Sequence, residues 1–338
     1  MIDVFALYCI ENKCFPLKST KMTNVVRKVL LTLGIVFTAG ILINATQEEP
    51  QKSIAQENLE KKLINDYNVY AIPMPENLNF SGELVPIENP DIRERMDREL
   101  LVNTYWQSNG LLLFKRAHKY FPIIEPILKE QGVPDDFKYL AVIESGLTQA
   151  VSPAKATGFW QILSSTAKEY GLEVNDNVDE RYHIEKSTEV ACQYLKKAKE
   201  RFGSWTLAAA SYNAGQYGID KQLERQNVNG YYDLLLGEET GRYLFRIIAL
   251  KEILSNPKKY GFNFSDEDLY EHIPTFNVLV DKPIEDFTEF VKEYNINYKI
   301  LKLHNPWLRE AHLENRSGKE YFIQIPREGY YKSTGIGQ

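Results

Sequence analysis

The sequence predicts a mainly α protein that ends in a small α+β module. Three observations carry this. Between residues 91 and 260 apolar residues recur at helical spacing, and no segment alternates like a strand for long. The helical stripes stop at glycines, as at Gly146, Gly203 and Gly215. Beyond Asn256-Pro257 the pattern changes: 275–280 alternates and is rich in strand formers, 321–325 reads as a closing strand, and two helical stretches, 285–294 and 300–303, lie between. At 338 residues, with 43% hydrophobic and 25% charged residues, the chain has room for one large domain or two modest ones.

The N-terminal region reads differently. Lys18, Lys21, Arg27 and Lys28 precede an uncharged apolar run over 29–43. A basic stretch before an apolar one of this length is the pattern of an export signal. It is short for a spanning helix, which wants about 20 apolar residues. Residues 1–45 are therefore expected to be a signal peptide or membrane anchor, with cleavage left open. Cys9 and Cys14 precede the apolar run, so no lipid-acceptor cysteine follows it, and Cys192 is left as a small buried hydrophobe on a helix. Residues 46–68 are polar and read as a tether; 69–90 is extended, punctuated by prolines, and expected to wrap on the main body.

From Asp91 the chain turns helical. Leu101, Tyr105, 111–114 and 121–128 suggest two or three helices. Pro134-Asp135-Asp136 then starts another, with proline in the first turn and the two acids capping its positive end. Phe137, Leu140, Ala141 and Glu144 fall at i, i+3, i+4 and i+7, so the fourth position of an apolar stripe is a carboxylate, and Gly146 stops the helix. Burial and the negative helix end both disfavour the charged form of Glu144. A carboxyl kept protonated near neutral pH is what a general acid needs. The structural alternative is a glutamate whose head reaches solvent at a helix end. Next comes a loop, 152–162, holding Ser152, Gly158, Phe159, Trp160 and Gln161, which sets an aromatic face beside an amide, a combination suited to sugars. A helix over 184–202 is capped by Gly203. Another begins at Ser204, carries Trp205, Ala208, Ala209 and Tyr212 on one face, and ends at Asn213-Ala214-Gly215. Glu239-Thr240-Gly241-Arg242-Tyr243 opens the last long helix, with Ile247, Leu250 and Leu254 inward, although Gly241 stands where a bulkier helix former is expected.

In this order and spacing, Glu144-Ser145, Gly158-Phe159-Trp160-Gln161-Ile162, Tyr212-Asn213-Ala214-Gly215 and Glu239-Thr240 with Tyr243 resemble the four signature motifs of the family 23 lytic transglycosylases. The tryptophan before the glutamine, and the stretch 166–172, look most like the membrane-bound lytic murein transglycosylase D branch. The resemblance implies a goose-type lysozyme-like catalytic domain over 91–262, behind a tether and wrapping segment over 46–90. The order strand-helix-helix-strand resembles a LysM module over 263–338, degenerate because 281–284 replaces its usual first turn. A purely structural cap is the alternative there.

The resemblance implies cleavage of peptidoglycan glycan strands. Glu144 would protonate the glycosidic oxygen, then take the proton of the C6 hydroxyl that closes a 1,6-anhydro ring. Ser152 and Gln161 would bind substrate or the carboxylate, Tyr212 would orient Glu144, and Asn213 would bind the N-acetyl sugar. Glu239 would form the cleft wall, Tyr243 would line a subsite, and Trp160 would stack on a sugar. A lysozyme-like hydrolase with a positioned water and a non-catalytic peptidoglycan-binding scaffold are the rival readings. The net charge of −6 argues against a nucleic-acid partner. His118, His183, His272, His304 and His312 show no metal-ligand spacing, so no metal and no cofactor are expected. The expected protein is a monomer exported to a bacterial periplasm, with membrane attachment open.

Overall fold

The computed structural model describes residues 69–331 and a short antiparallel pair, β1 (Cys9–Ile10) with β2 (Lys13–Cys14). The chain divides into two units, Met1–Val69 and Tyr70–Gln338, and the helices of the described residues and the C-terminal strands belong to the second. The expected signal or anchor over 29–43 and the tether over 46–68 lie outside the described residues. Among the described residues no helix is long and apolar enough to cross a membrane.

The wrapping segment is extended, as expected, and folds back once. β3 (Asn79–Phe80) and β4 (Glu83–Leu84) pair through a two-residue turn in which Ser81 and Gly82 both take positive φ, 52° and 83°. That is the turn whose twist suits a hairpin. The hairpin delivers Phe80, fully buried, edge-on to Phe137 with ring centroids 5.0 Å apart.

Two helices precede the site, α1 (Pro90–Tyr105) and α2 (Gln107–Glu130). The 121–128 stretch is the end of α2 and not a third helix. Pro122 and Pro126 remove two amide donors from its ladder, but Ile124 and Leu128 are fully buried and hold the last turns against the core. A 3₁₀ turn, Asp135–Phe137, leads into α3 (Lys138–Ser145). Asp135 and Asp136 cap nothing. Asp135 pairs with Lys138 at 2.5 Å, while Asp136 accepts from the Ser81 amide and pairs with Lys251, each at 2.6 Å. The acids tie three segments together because Lys138 and Lys251 bring charge that the helix end lacks.

Then come α4 (Ser164–Glu169), α5 (Ile184–Phe202), α6 (Trp205–Ala214), α7 (Gln216–Gln226) and α8 (Glu238–Ser255). α5 ends at Gly203 in the left-handed region, and α6 is capped by the Ser204 side chain, which accepts from the Leu207 amide. Glu83 of the hairpin doubles that cap: it accepts from the Trp205 amide at 2.5 Å, the Thr206 amide at 3.0 Å and Ser204 Oγ at 2.9 Å. Burial pushes the Glu83 carboxyl up, but these donated bonds outweigh it and hold it below its usual value. Gly241 does not delay α8, which begins at Glu238. A methyl at Gly241 would meet only ordinary contacts, so the glycine is not required by crowding.

The C-terminal module contains β5 (Thr275–Val280), α9 (Phe287–Phe290) running into a 3₁₀ turn over Val291–Tyr294, α10 (Tyr298–His304) and β6 (Tyr321–Pro326). β5 and β6 pair antiparallel in register from Thr275 with Pro326 to Val280 with Tyr321. The departure at 281–284 is absorbed by a bridge in which Ile284 and Leu313 exchange both backbone bonds. Phe287, Leu301, Leu308 and Ile323 form its core, and Val178 and Tyr182 of the helical body complete it. Around that contact the Asp179 amide donates to the Trp307 carbonyl at 2.9 Å, and Lys319 pairs with Glu173 at 2.6 Å.

This packing sets the outcome of truncation. A chain ending at residue 263 keeps its own helical core but exposes Val178 and Tyr182. It should fold with native-like helicity and melt several degrees lower, since burying two such side chains is worth about 1.5–3 kcal/mol each. Circular dichroism melts of both lengths check this, and equal melting temperatures would rule out a stabilising dock.

Candidate active site

Glu144 is placed by α3. Phe137, Leu140 and Ala141 are fully buried on one face, and Glu144, one turn on, is carried by the same face to the edge of the core. The helix ends there because Gly146 takes φ 60° and its amide closes on the Val142 carbonyl at 2.8 Å. Ser145 Oγ donates to the Phe159 carbonyl at 2.9 Å and so ties the helix end to the following loop.

That loop is held open by backbone constraints. Thr157 and Ile162 exchange hydrogen bonds at 3.1 Å. Gly158 lies between them at φ 82°, where a methyl would fall 2.2 Å from the Arg181 carbonyl, so only glycine fits. Arg181, buried and paired with Asp179 at 2.7 Å, donates to the carbonyls of Lys155 and Ile162 at 3.0 and 3.2 Å. The loop is thus clamped from behind by a cation whose charge is itself matched.

Glu144, Ser152, Gln161, Tyr212, Asn213 and Glu239 line one cleft of about 500 Å³. Tyr243 is buried beneath it, and its hydroxyl donates to Glu144 Oε1. Two expected contacts are therefore exchanged. Tyr212 was expected to orient Glu144 and Tyr243 to line a subsite; instead Tyr243 bonds Glu144, and the Tyr212 hydroxyl donates to the Trp160 carbonyl at 2.8 Å. The reason is the register of α8, which puts Tyr243 one turn inside Glu239 and under the carboxyl. Trp160 is a second correction. It is fully buried and its indole N–H donates to Thr188 Oγ1 at 2.8 Å, so its ring faces the core and offers no face to a sugar. Phe159 is core as well, edge-on to Tyr120.

The polar groups of the cleft are partly engaged. Gln161 Nε2 donates to the carbonyls of Ala150 and Gly158 at 3.0 and 2.9 Å, which leaves its oxygen as the unused end. Ser152 Oγ accepts from the Ala156 amide at 3.0 Å. Asn213 Nδ2 donates to Glu239 at 3.2 Å and its oxygen accepts from Thr240 Oγ1 at 2.7 Å, which links α6 to the first turn of α8.

The charge state of Glu144 results from this packing. Its pKa is raised to about 7: burial pushes it up, the Tyr243 bond and the Arg246 guanidinium hold it down, and Glu239 adds to the rise. Desolvation is the dominant cause, as expected for a carboxyl on an apolar stripe. Arg246 was not singled out from the sequence, although Glu239, Tyr243 and Arg246 stand at i, i+4 and i+7 and so share one face of α8. Arg181 was missed too, since no local pattern marks a residue that clamps a loop about 20 positions upstream. Among the described residues no cluster of His, Cys, Asp and Glu could hold a metal ion.

Residues 121–234 match the family model of the transglycosylase SLT domain. Residues 276–329 match the soluble lytic transglycosylase C-terminal LysM-like domain. Glu144, Ser152, Gln161, Tyr212 and Asn213 lie within the matched SLT segment, whereas Glu239 and Tyr243 lie beyond it, on α8. The chain is 30% identical over 247 residues to the membrane-bound lytic murein transglycosylase D of Escherichia coli strain K12, covering 71% of this chain and 53% of that protein. The same figures hold for the protein of that name in Escherichia coli O6:H1. The chain thus spans about half the length of the curated relatives it matches. Among solved structures, the 70-kDa soluble lytic transglycosylase of Escherichia coli aligns over 72% of this chain and 47% of its own, with 13% identity and a TM-score of 0.37.

The raised pKa of Glu144 has a stability consequence. Its folded value, about 7, lies above the ordinary 4.5, so the fold is favoured below about pH 4.5 and loses stability as pH rises through about 7. The loss at higher pH is on the order of 3 kcal/mol. Glu144→Gln removes it. The variant should match the parent near pH 4.5 and melt at a higher temperature at pH 8. A difference that does not change with pH would contradict the assignment.

Proposed function

We propose that the protein is a peptidoglycan lytic transglycosylase that cleaves the β-1,4 bond between N-acetylmuramic acid and N-acetylglucosamine and leaves 1,6-anhydro ends. The observation that carries this reading is the carboxyl of Glu144, held near pKa 7 in a cleft within the segment that matches the SLT domain and bonded to Tyr243. Protonated, Glu144 donates to the glycosidic oxygen as the C–O bond breaks. The substrate's own N-acetyl group balances the charge that develops at the anomeric carbon. Glu144, now ionised, takes the proton from the C6 hydroxyl as that oxygen attacks the anomeric carbon, so no water is consumed. Holding that hydroxyl in reach is a proximity effect worth several powers of ten.

The side chains divide the remaining work. Tyr243 steadies the ionised carboxylate between the two proton transfers. Asn213, fixed by Glu239 and Thr240, presents its amide edge to the N-acetyl sugar. The free oxygen of Gln161 and the hydroxyl of Ser152 meet sugar hydroxyls. Glu239 is exposed, forms the cleft wall and keeps its charge close enough to help hold Glu144 protonated. The LysM-like module holds the polymer beside the cleft and raises its effective concentration. We place the protein outside the cytoplasmic membrane, in a bacterial periplasm, acting as a monomer on glycan strands. The basic-then-apolar pattern over 18–43 supports export, and the relatives named as membrane-bound support attachment.

Glu144→Gln should lower turnover by about three orders of magnitude while the fold persists, because the amide keeps the shape but moves no proton. Mass spectrometry of digested sacculi reads the chemistry: anhydro ends support the transglycosylase, reducing ends the hydrolase, and no cleavage by the parent chain the scaffold. The pH profile tests Tyr243 separately. kcat/KM should fall as pH rises through about 7, since the first step needs the protonated acid. Tyr243→Phe removes a donor that lowers that value, so the alkaline limb should move to higher pH. A limb that stays in place, with activity tracking melting temperature, would reduce Tyr243 to packing.

A further inference from the structure

A second cavity of about 500 Å³ shares no lining residue with the catalytic cleft. Its walls come from α2 and residues 182–185 of the helical body on one side, and from α10, β6 and Tyr331 on the other. It therefore exists only where the LysM-like module meets the SLT domain. Lys119, His272 and His304 all line it. Among the described residues the Lys119 ammonium meets no carboxylate; it lies over the Tyr120 ring, 5.2 Å from the centroid. His304 Nε2 is 2.9 Å from the Tyr331 hydroxyl.

The cavity also holds the ionised carboxylate of Glu185 and the ammonium of Lys302. Glu185 is 3.1 Å from His183 Nδ1 and accepts from Gln324 at 2.7 Å. Lys302 spends its ammonium on the carbonyls of Leu308 and Glu310. What remains is the half-buried Lys119 ammonium, without a carboxylate partner among the described residues, beside the imidazoles of His272 and His304. Burial lowers the Lys119 ammonium, and burial with Lys119 and His272 pushes His304 down to about 4. A half-buried cation without a partner is partly desolvated, and a bound anion would offset that cost through charge-assisted hydrogen bonds.

We propose that this interdomain cavity is a second ligand site, one that takes a carboxylate with Lys119 as its cationic contact and His304 and Tyr331 as hydrogen-bond donors. Its volume suits a short peptide better than a lone ion, and Tyr120, Ile123 and Leu303 give aliphatic parts something to pack on. The source of the carboxylate rests on the transglycosylase reading: the stem peptides of peptidoglycan carry such groups beside the glycan strand. A free small carboxylate shares the chemistry.

The test uses the full chain bearing Glu144→Gln, which binds without turning over. The probes are an Ala-Glu-Lys tripeptide and sodium acetate, each followed by calorimetry and by the His304 ring resonances. Tripeptide binding should raise the His304 titration midpoint from about 4, because a neighbouring carboxylate favours the imidazolium. Lys119→Ala should weaken binding at least about tenfold, one charge-assisted contact being worth at least 1.4 kcal/mol, with an unchanged melting temperature. Tripeptide binding tighter than acetate assigns a peptide-borne group; equal binding assigns a free carboxylate; both support the site. Failure of both probes to move His304, or an affinity that neither Lys119→Ala nor His304→Gln changes, overturns it. These readouts involve no bond cleavage, so they stand or fall apart from the catalytic reading, and Lys119→Ala in the otherwise parent chain should cut short soluble glycans at the parent rate.

Discussion

The site depends on taking one carboxyl out of water without leaving it unpartnered. Glu144 rides on the buried face of α3, so the packing that stabilises the helix also desolvates the acid. Burial alone would push it further toward the neutral form. Tyr243 and Arg246 pull the other way and return its pKa to about 7, where both protonation states are accessible. Two helices distant in sequence therefore set one number between them. The α3 stripe supplies the push and α8 the pull.

Everything around that pair keeps the two helices in register. The hairpin carrying Glu83 caps α6, and α6 carries Asn213, whose bonds to Glu239 and Thr240 hold the first turn of α8. Asp136 joins the same frame by pairing with Lys251 and accepting from Ser81. Of these contacts, the Asp136–Lys251 ion pair is partly buried and further hydrogen-bonded at both ends, the arrangement in which losing one partner costs more than the pair contributes. They fix geometry more than they add stability.

The α-helical plan was legible in the sequence wherever one strong local signal existed. Ser204 as a cap, Gly203 and Gly146 as stops and the α3 stripe are local facts, and the structure has them where the sequence puts them. The order strand-helix-helix-strand of the module was legible for the same reason. The cleft was legible as a list of residues, since Glu144, Ser152, Gln161, Tyr212, Asn213 and Glu239 do converge. Their pairings were not. Which tyrosine meets Glu144 depends on the rotation of α8 about its axis, and whether Trp160 faces sugar or core depends on Thr188, 28 positions away. In α2, burial of Ile124 and Leu128 outweighs the two backbone bonds lost at Pro122 and Pro126.

The composite core of the C-terminal module bears on how such parts are exchanged between proteins. Val178 and Tyr182 are contributed by the helical body, and the Asp179 amide bonds to the module's Trp307 carbonyl. The transplantable unit is therefore larger than the sequence segment that names it. A graft of residues 276–329 alone would arrive with a hole in its core, whereas one carrying a copy of 173–185 would bring its own floor. Recombination that respects only family boundaries would tend to produce molecules missing that floor. The loop and the module are two halves of one fitted joint.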